Sequence, residues 1–140
     1  KPGGKPWTAG VENPWGDDPA YIQAVELADG DSLVISGDYQ RYFEQDGVRY
    51  HHILDPQTGR PVQNGLRSVT ILADSGTLAD GLSTALFVMG EDRALELWRS
   101  GVYDFELILV TEDGRLLATA GIADRFRPDD SAGYAYEIVS

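Results

Sequence analysis

LRSVTILADSGTLADGLSTALFVMG, Leu66 to Gly90, contains the change of hydrophobic period on which the fold turns. Its first eight residues are rich in apolar and β-branched side chains and read as a strand. From Ser75 the spacing becomes helical, and Gly90 supplies a stop. EDRALELWRS, residues 91–100, reads as a second helix ending at Gly101. On the N-terminal side, WTAGVEN (7–13) and YIQAVELADGDSLVISGDY (21–39) alternate apolar and polar residues, with a hairpin expected at Asp29-Gly30. RYFEQDGVRYHHIL (41–54) repeats the pattern around Gln45-Asp46-Gly47. After the helices, FELILVTEDGRLLATA (105–120) reads as a hairpin with Asp113-Gly114 at its tip, and the tail from Gly121 shows no clear period. Strands on both sides of a helical pair predict an α+β fold of mixed or antiparallel β-hairpins with the pair inserted, in a single domain over 1–140.

The 140 residues are 42% hydrophobic, enough for one sizeable core. Asp and Glu number 23 against 11 Lys and Arg, a net charge of −12. Such a surface repels polyanions, so no nucleic-acid partner is expected. It suits divalent cations, although most surface carboxylates are simply solvated. With no cysteine in the chain, disulfides, thiolate nucleophiles and cysteine-based zinc sites are excluded, and the redox compartment stays open. No apolar run approaches the ~20 residues of a spanning helix. KPGGKPW at the start is a loop with no element before it, which reads as a chain that begins in mid-fold.

Two constellations carry chemistry. RYHHILDPQTGRP, Arg49 to Pro61, sets His51 and His52 at the end of a strand and follows them with Asp55 and a turn. Pro56 fixes its own φ and Gly59 can take a positive one, so the chain makes a defined corner there. A histidine pair at a strand end is as compatible with packing as with catalysis. The second constellation lies on the helix from about Thr77 to Met89. Leu78, Leu82, Ala85, Leu86 and Met89 share one side, and Asp80 and Thr84, one turn apart, share the other. Thr77 and Asp80 could instead form a capping pair at the helix start. Because Phe87 and Val88 flank the Asp80/Thr84 stripe, the helix is expected to be buried almost all round, leaving Asp80 in need of a partner. A carboxylate and a hydroxyl offer two hard oxygen ligands of the kind Mg²⁺ accepts alongside waters and phosphates.

SGDYQRYFEQDGVRYHHILDPQTGRP followed by SVTILADSGTLADGLSTALFVMG resembles the ApbE family, the FAD:protein FMN transferases, from about Trp7 through the helical pair to the last hairpin. The resemblance implies a T-fold-like architecture, here the C-terminal portion. It implies a Mg²⁺-dependent enzyme that takes FAD as substrate, transfers FMN to a Ser or Thr hydroxyl of an acceptor protein and releases AMP. Metal ligation falls on Asp80 and Thr84, with the Thr77 region supplying a weaker candidate. His52 takes the catalytic role, while His51, Asp55 and the SGD motif at Ser36 to Asp38, with Ser36 and Gly37 foremost, are placed near the flavin, Asp55 orienting either the histidine or the turn.

Family members are longer, and their N-terminal half supplies much of the FAD cradle and part of the metal site. Any membrane attachment would come from an upstream lipid anchor, with the periplasmic face of the cell envelope as the location. A flavin-binding module without turnover, and a Mg²⁺-dependent FAD pyrophosphatase, are the alternatives. The chemistry suits the residues in itself: Mg²⁺ stabilises charge on the transferred and leaving phosphates, and an imidazole can activate a hydroxyl.

Overall fold

The computed structural model describes residues 3–16 and 19–140. Its centre is a five-stranded sheet in the order β10-β8-β7-β6-β3, formed by β3 (Ser32–Gly37), β6 (Leu66–Ala73), β7 (Glu106–Thr111), β8 (Arg115–Thr119) and β10 (Ala135–Val139). Its neighbours are antiparallel except β10, which runs parallel to β8, so the sheet is mixed. All eight residues of β6 are buried, because both faces of the sheet are covered. On one face lie α1 (Gly76–Met89) and α2 (Glu91–Arg99); Ala79, Leu82, Leu86, Phe87, Ala94 and Leu95 close over Val69, Ile71, Leu107, Leu109 and Leu117. Against the other face lies a second sheet, ordered β1-β2-β9, of β1 (Trp7–Glu12), β2 (Tyr21–Leu27) and β9 (Phe126–Pro128). Val11, Ile22, Val25 and Phe126 there meet Leu72, Ile108, Val110 and Leu116. The layers are therefore helices, mixed sheet and antiparallel sheet, an α+β fold with the helical pair inserted where the sequence places it.

Two local expectations change. The Asp29-Gly30 turn joins no hairpin: β2 pairs with β1 and β9, whereas β3 pairs with β6, from Ser32↔Ala73 to Gly37↔Ser68. Alternation shows that a strand has two unlike faces but not which strand pairs with it, and here the turn carries the chain from one sheet to the other. The tail from Gly121 is also more ordered than its composition suggests, running from a 3₁₀ turn at Ala120–Arg125 into β9 and ending in β10.

The other hairpins form as read. β4 (Tyr42–Gln45) and β5 (Val48–His51) pair antiparallel as a separate two-stranded ribbon. Its two-residue loop has φ of 53° at Asp46 and 76° at Gly47, the twice-positive geometry that matches strand twist in a tight hairpin. β7 and β8 join through Asp113-Gly114. Among the described residues no helix is long and apolar enough to cross a membrane.

Candidate active site

α1 touches both constellations on different sides: His51 packs on its buried Phe87, while Asp80 and Thr84 lie on its exposed side. Its N-cap is Ser75, whose Oγ accepts from the Leu78 N–H at 3.3 Å, so the Thr77/Asp80 pair is not needed to cap it. At the other end Gly90, with φ of 85°, donates its N–H to the Leu86 carbonyl at 3.0 Å. The Asn64 side chain covers another free carbonyl, Nδ2 donating to Phe87 O at 2.7 Å. The expectation of a helix buried almost all round is not met. Ala79, Leu82, Ser83, Leu86 and Phe87 form the buried stripe, while Thr77, Asp80, Gly81, Thr84 and Ala85 are exposed. Ala85 thus leaves the apolar side assigned to it, because the sheet lies opposite a stripe turned by about one position. Asp80 is solvated and requires no buried partner.

The structure brings Ser36 to this helix. At the end of β3 its Oγ lies 2.8 Å from Ser83 Oγ and 3.2 Å from Thr84 Oγ1, so the SGD motif and the candidate metal face share a hydroxyl cluster. Gly37 is buried and close-packed: a Cβ there would lie 2.5 Å from the Tyr39 ring and 3.0 Å from the Arg67 carbonyl, which is why the position takes glycine. Thr77 and Asp80 occupy the same open side of α1 as Thr84. Among the described residues no three His, Asp or Glu side chains gather as a metal-binding group.

The two histidines part company at the end of β5. Alternation sends His51 and Ile53 inward and leaves His52 and Leu54 exposed. His51 Nε2 lies 2.8 Å from Val62 O, and its Nδ1 accepts from the Ile53 N–H at 3.3 Å. An N–H can only donate, so Nδ1 is bare and the proton sits on Nε2. Both ring nitrogens are engaged by main chain, and the ring meets Phe87 of α1 edge-on, with centroids 5.7 Å apart. His52 is the imidazole open to solvent. Asp55 serves the turn: its Oδ1 accepts from Gln57 N at 2.8 Å, while its carbonyl accepts from Gly59 N at 2.8 Å.

The last residue of the SGD motif, Asp38, anchors an ion-pair network that sequence spacing does not reveal. Asp38 is buried, its Oδ2 2.6 Å from NH1 of the equally buried Arg67 and its Oδ1 3.7 Å from Arg49 NH1. Burial pushes the Asp38 carboxyl up despite the opposing pull of Arg67 and then Arg49. We take it as ionised, because a 2.6 Å contact to a guanidinium is a charge-assisted bond. Arg67 also donates to Pro14 O at 3.3 Å and lies under the Trp15 ring at 5.0 Å, and Arg49 lies against Tyr42 at 4.1 Å. These contacts border a cavity of about 440 Å³ lined in part by Trp15, Tyr21, Tyr39 and Tyr42.

The model of the ApbE family matches residues 1–109. The chain belongs to the ApbE family. Among curated ApbE-type relatives, it is 45% identical over 111 residues to the FAD:protein FMN transferase of Vibrio cholerae, covering 79% of this chain and 33% of that protein. It is 42% identical over 127 residues to that of Treponema pallidum, covering 89% and 34% respectively. Among solved structures, the ApbE protein of Thermotoga maritima superposes with a TM-score of 0.76 at 45% identity, over 89% of this chain and 40% of that one. The apo flavinyl transferase ApbE of Pseudomonas stutzeri gives 0.68 at 40% identity, over 89% and 38%. The chain thus spans about a third of the length of the curated relatives it matches. Arg49 and Arg67 carry no sequence motif, because an arginine within a strand reads as solvated; the charge among the apolar residues of LRSVTILA is the one sign of burial.

Proposed function

We propose that the intact protein is a Mg²⁺-dependent FAD:protein FMN transferase, moving FMN from FAD to a Ser or Thr hydroxyl of an acceptor protein with release of AMP. The observation that carries this reading is that α1 is reached from both motifs: Ser36 of the SGD stretch lies against Thr84 on its open side, and His51, next to the exposed His52, packs on Phe87 of its buried stripe. The names of the relatives support the coarser part of it, FMN transfer from FAD to a protein.

In this reading the exposed His52 imidazole takes the proton from the acceptor hydroxyl as its oxygen bonds to the FMN phosphorus. The pyrophosphate P–O bond breaks and AMP leaves. The donor set fits Mg²⁺ in kind: Asp80 offers a carboxylate and Thr84 a hydroxyl on one open helix face, with Thr77 beside them, and the remaining positions fall to water and substrate phosphate. When bound, the cation would neutralise charge on the phosphates. Ser36 holds the Thr84 hydroxyl in place, and Gly37 lets the loop after β3 close over Arg67. An envelope location through an upstream lipid anchor belongs to the same proposal.

The test is to incubate the intact protein with FAD, Mg²⁺ and an acceptor peptide containing Ser or Thr. AMP release together with peptide-bound FMN supports transfer. AMP without labelled peptide would instead mean a pyrophosphatase, and FAD binding with neither product a binding module.

A further inference from the structure

We infer that His51 is a positioning residue whose imidazole is spliced into a β-ladder and thereby sets where the His52 side chain stands. The segment after β5 folds back on itself through the Asp55–Gly59 turn. Asp55 N donates to Arg60 O at 2.9 Å, Leu54 and Pro61 form a bridge, and Val62 N donates to Ile53 O at 3.1 Å. In an antiparallel ladder, hydrogen-bonded pairs alternate with non-bonded ones, and a bonded pair exchanges both N–H···O=C contacts. Leu54/Pro61 is the non-bonded pair, so Ile53/Val62 should exchange two bonds. Only one is direct. The reciprocal bond, Ile53 N–H to Val62 O, runs through the His51 ring: Ile53 N–H donates to Nδ1, and Nε2–H donates to Val62 O.

The ring thus satisfies a donor and an acceptor that would otherwise be buried and unpaired, and it acts as a spacer between the strands. His52 is the residue between the ring's own backbone and the amide that the ring holds. Regular strand pairing ends at His51, and the chain bends at His52. The edge-on contact with Phe87, which is 0% exposed, ties the spacer to α1. His51 therefore links the segment bearing His52 to the helix bearing Asp80 and Thr84, with both its ring nitrogens taken up by main chain. The consequence for turnover rests on the transferase reading of His52; the ladder geometry does not.

The experiment compares His51→Phe and His51→Gln in the intact protein, each alone and combined with His52→Ala. Phenylalanine keeps the aromatic packing on Phe87 but neither hydrogen bond. A carboxamide carries an acceptor and a donor at nearly the separation of the two ring nitrogens, so glutamine can restore the bridge. Misplacing a reacting group by about 1 Å costs up to ~10²-fold. His51→Phe is therefore expected to lower kcat for transfer ~10–10²-fold with the FAD KM little changed, and His51→Gln to recover most of the loss. In the His52→Ala background, His51→Phe should cost nothing further. An equal loss in both backgrounds, or no rescue by glutamine, overturns the inference. The second readout is independent of turnover: slow exchange of the Ile53 amide and the ring ¹⁵N shifts of His52 should change in His51→Phe and return in His51→Gln. If His52→Ala keeps full transfer activity, the transferase role of His52 fails, and these spectra alone decide. Unchanged His52 shifts in His51→Phe overturn the positioning role.

Discussion

Replacing Arg67 with methionine should destabilise the fold by about 3 kcal/mol at neutral pH, the lower end of the ~3–5 kcal/mol typical when one partner of a buried ion pair is removed. Asp38 and Arg67 are 5% and 7% exposed and meet at 2.6 Å, so the variant leaves a carboxylate in a desolvated site. The lower end is appropriate because Arg49 NH1 remains 3.7 Å from Asp38 Oδ1 and supplies partial compensation. Methionine preserves most of the packing against Trp15, so little of the loss is a cavity effect. At roughly 2–4 °C per kcal/mol for a chain of this size, the melting temperature should fall by about 6–12 °C.

The pH dependence separates charge from packing. Burial already raises the Asp38 pKa in the folded state, and removing Arg67 raises it further. A carboxyl raised above its unfolded value stabilises below that value and loses the contribution as pH rises through the folded pKa. The deficit of Arg67→Met should therefore shrink as pH falls into the acid range, where Asp38 is neutral. The double variant Asp38→Asn/Arg67→Met should be more stable at pH 7 than Arg67→Met alone. Urea unfolding at pH 7 and at acid pH provides the measurement. A neutral-pH loss under about 0.5 kcal/mol, the scale of an ordinary surface substitution, or a deficit independent of pH, would refute the account of Asp38 as a buried charge held by Arg67.

Asp80→Ala should abolish Mg²⁺-dependent turnover of the intact protein while changing unfolding stability by no more than about 0.5 kcal/mol, since the side chain is exposed; a matching loss of fold would assign Asp80 a structural role. His52→Ala should slow FMN transfer by ~10²–10⁴-fold at unchanged stability, measured by AMP release and peptide-bound FMN, and near-normal transfer would remove it from the chemistry. Tyr39 and Tyr134 are each pushed up to about 12, burial being the main cause in both. Their unfolded-state pKa is near 10, so the stability they contribute is complete below pH 10 and is lost as pH rises through 12. Ultraviolet difference titration should show the Tyr39 and Tyr134 phenols ionising late, with Tyr136 also displaced upward by burial, and a single transition near 10 for all seven tyrosines would contradict the burial.

Local pattern alone determined the elements up to Ala120, though not those of the tail. The change of period at Ser75, the stop at Gly90 and the Asp46-Gly47 and Asp113-Gly114 turns depend on backbone preferences within a few residues, and the structure keeps each of them. The family motifs also lie in continuous stretches, so Ser36, His52, Asp80 and Thr84 could be singled out by neighbouring residues. Tertiary structure decided what those elements face. Alternation in β2 and β3 looks the same whether they pair with each other or, as here, in different sheets, because the bonds that distinguish the cases go to strands elsewhere in the chain. The helical spacing of α1 allowed several stripes to be the buried one, and only the position of the sheet beneath it exposed Asp80 and Ala85. The two adjacent histidines have the same chemistry on paper. Strand alternation turns one into the core, where a break in a ladder holds both its nitrogens, and leaves the other in solvent; that separation depends on Val62 and Phe87, 11 and 36 residues further along the chain.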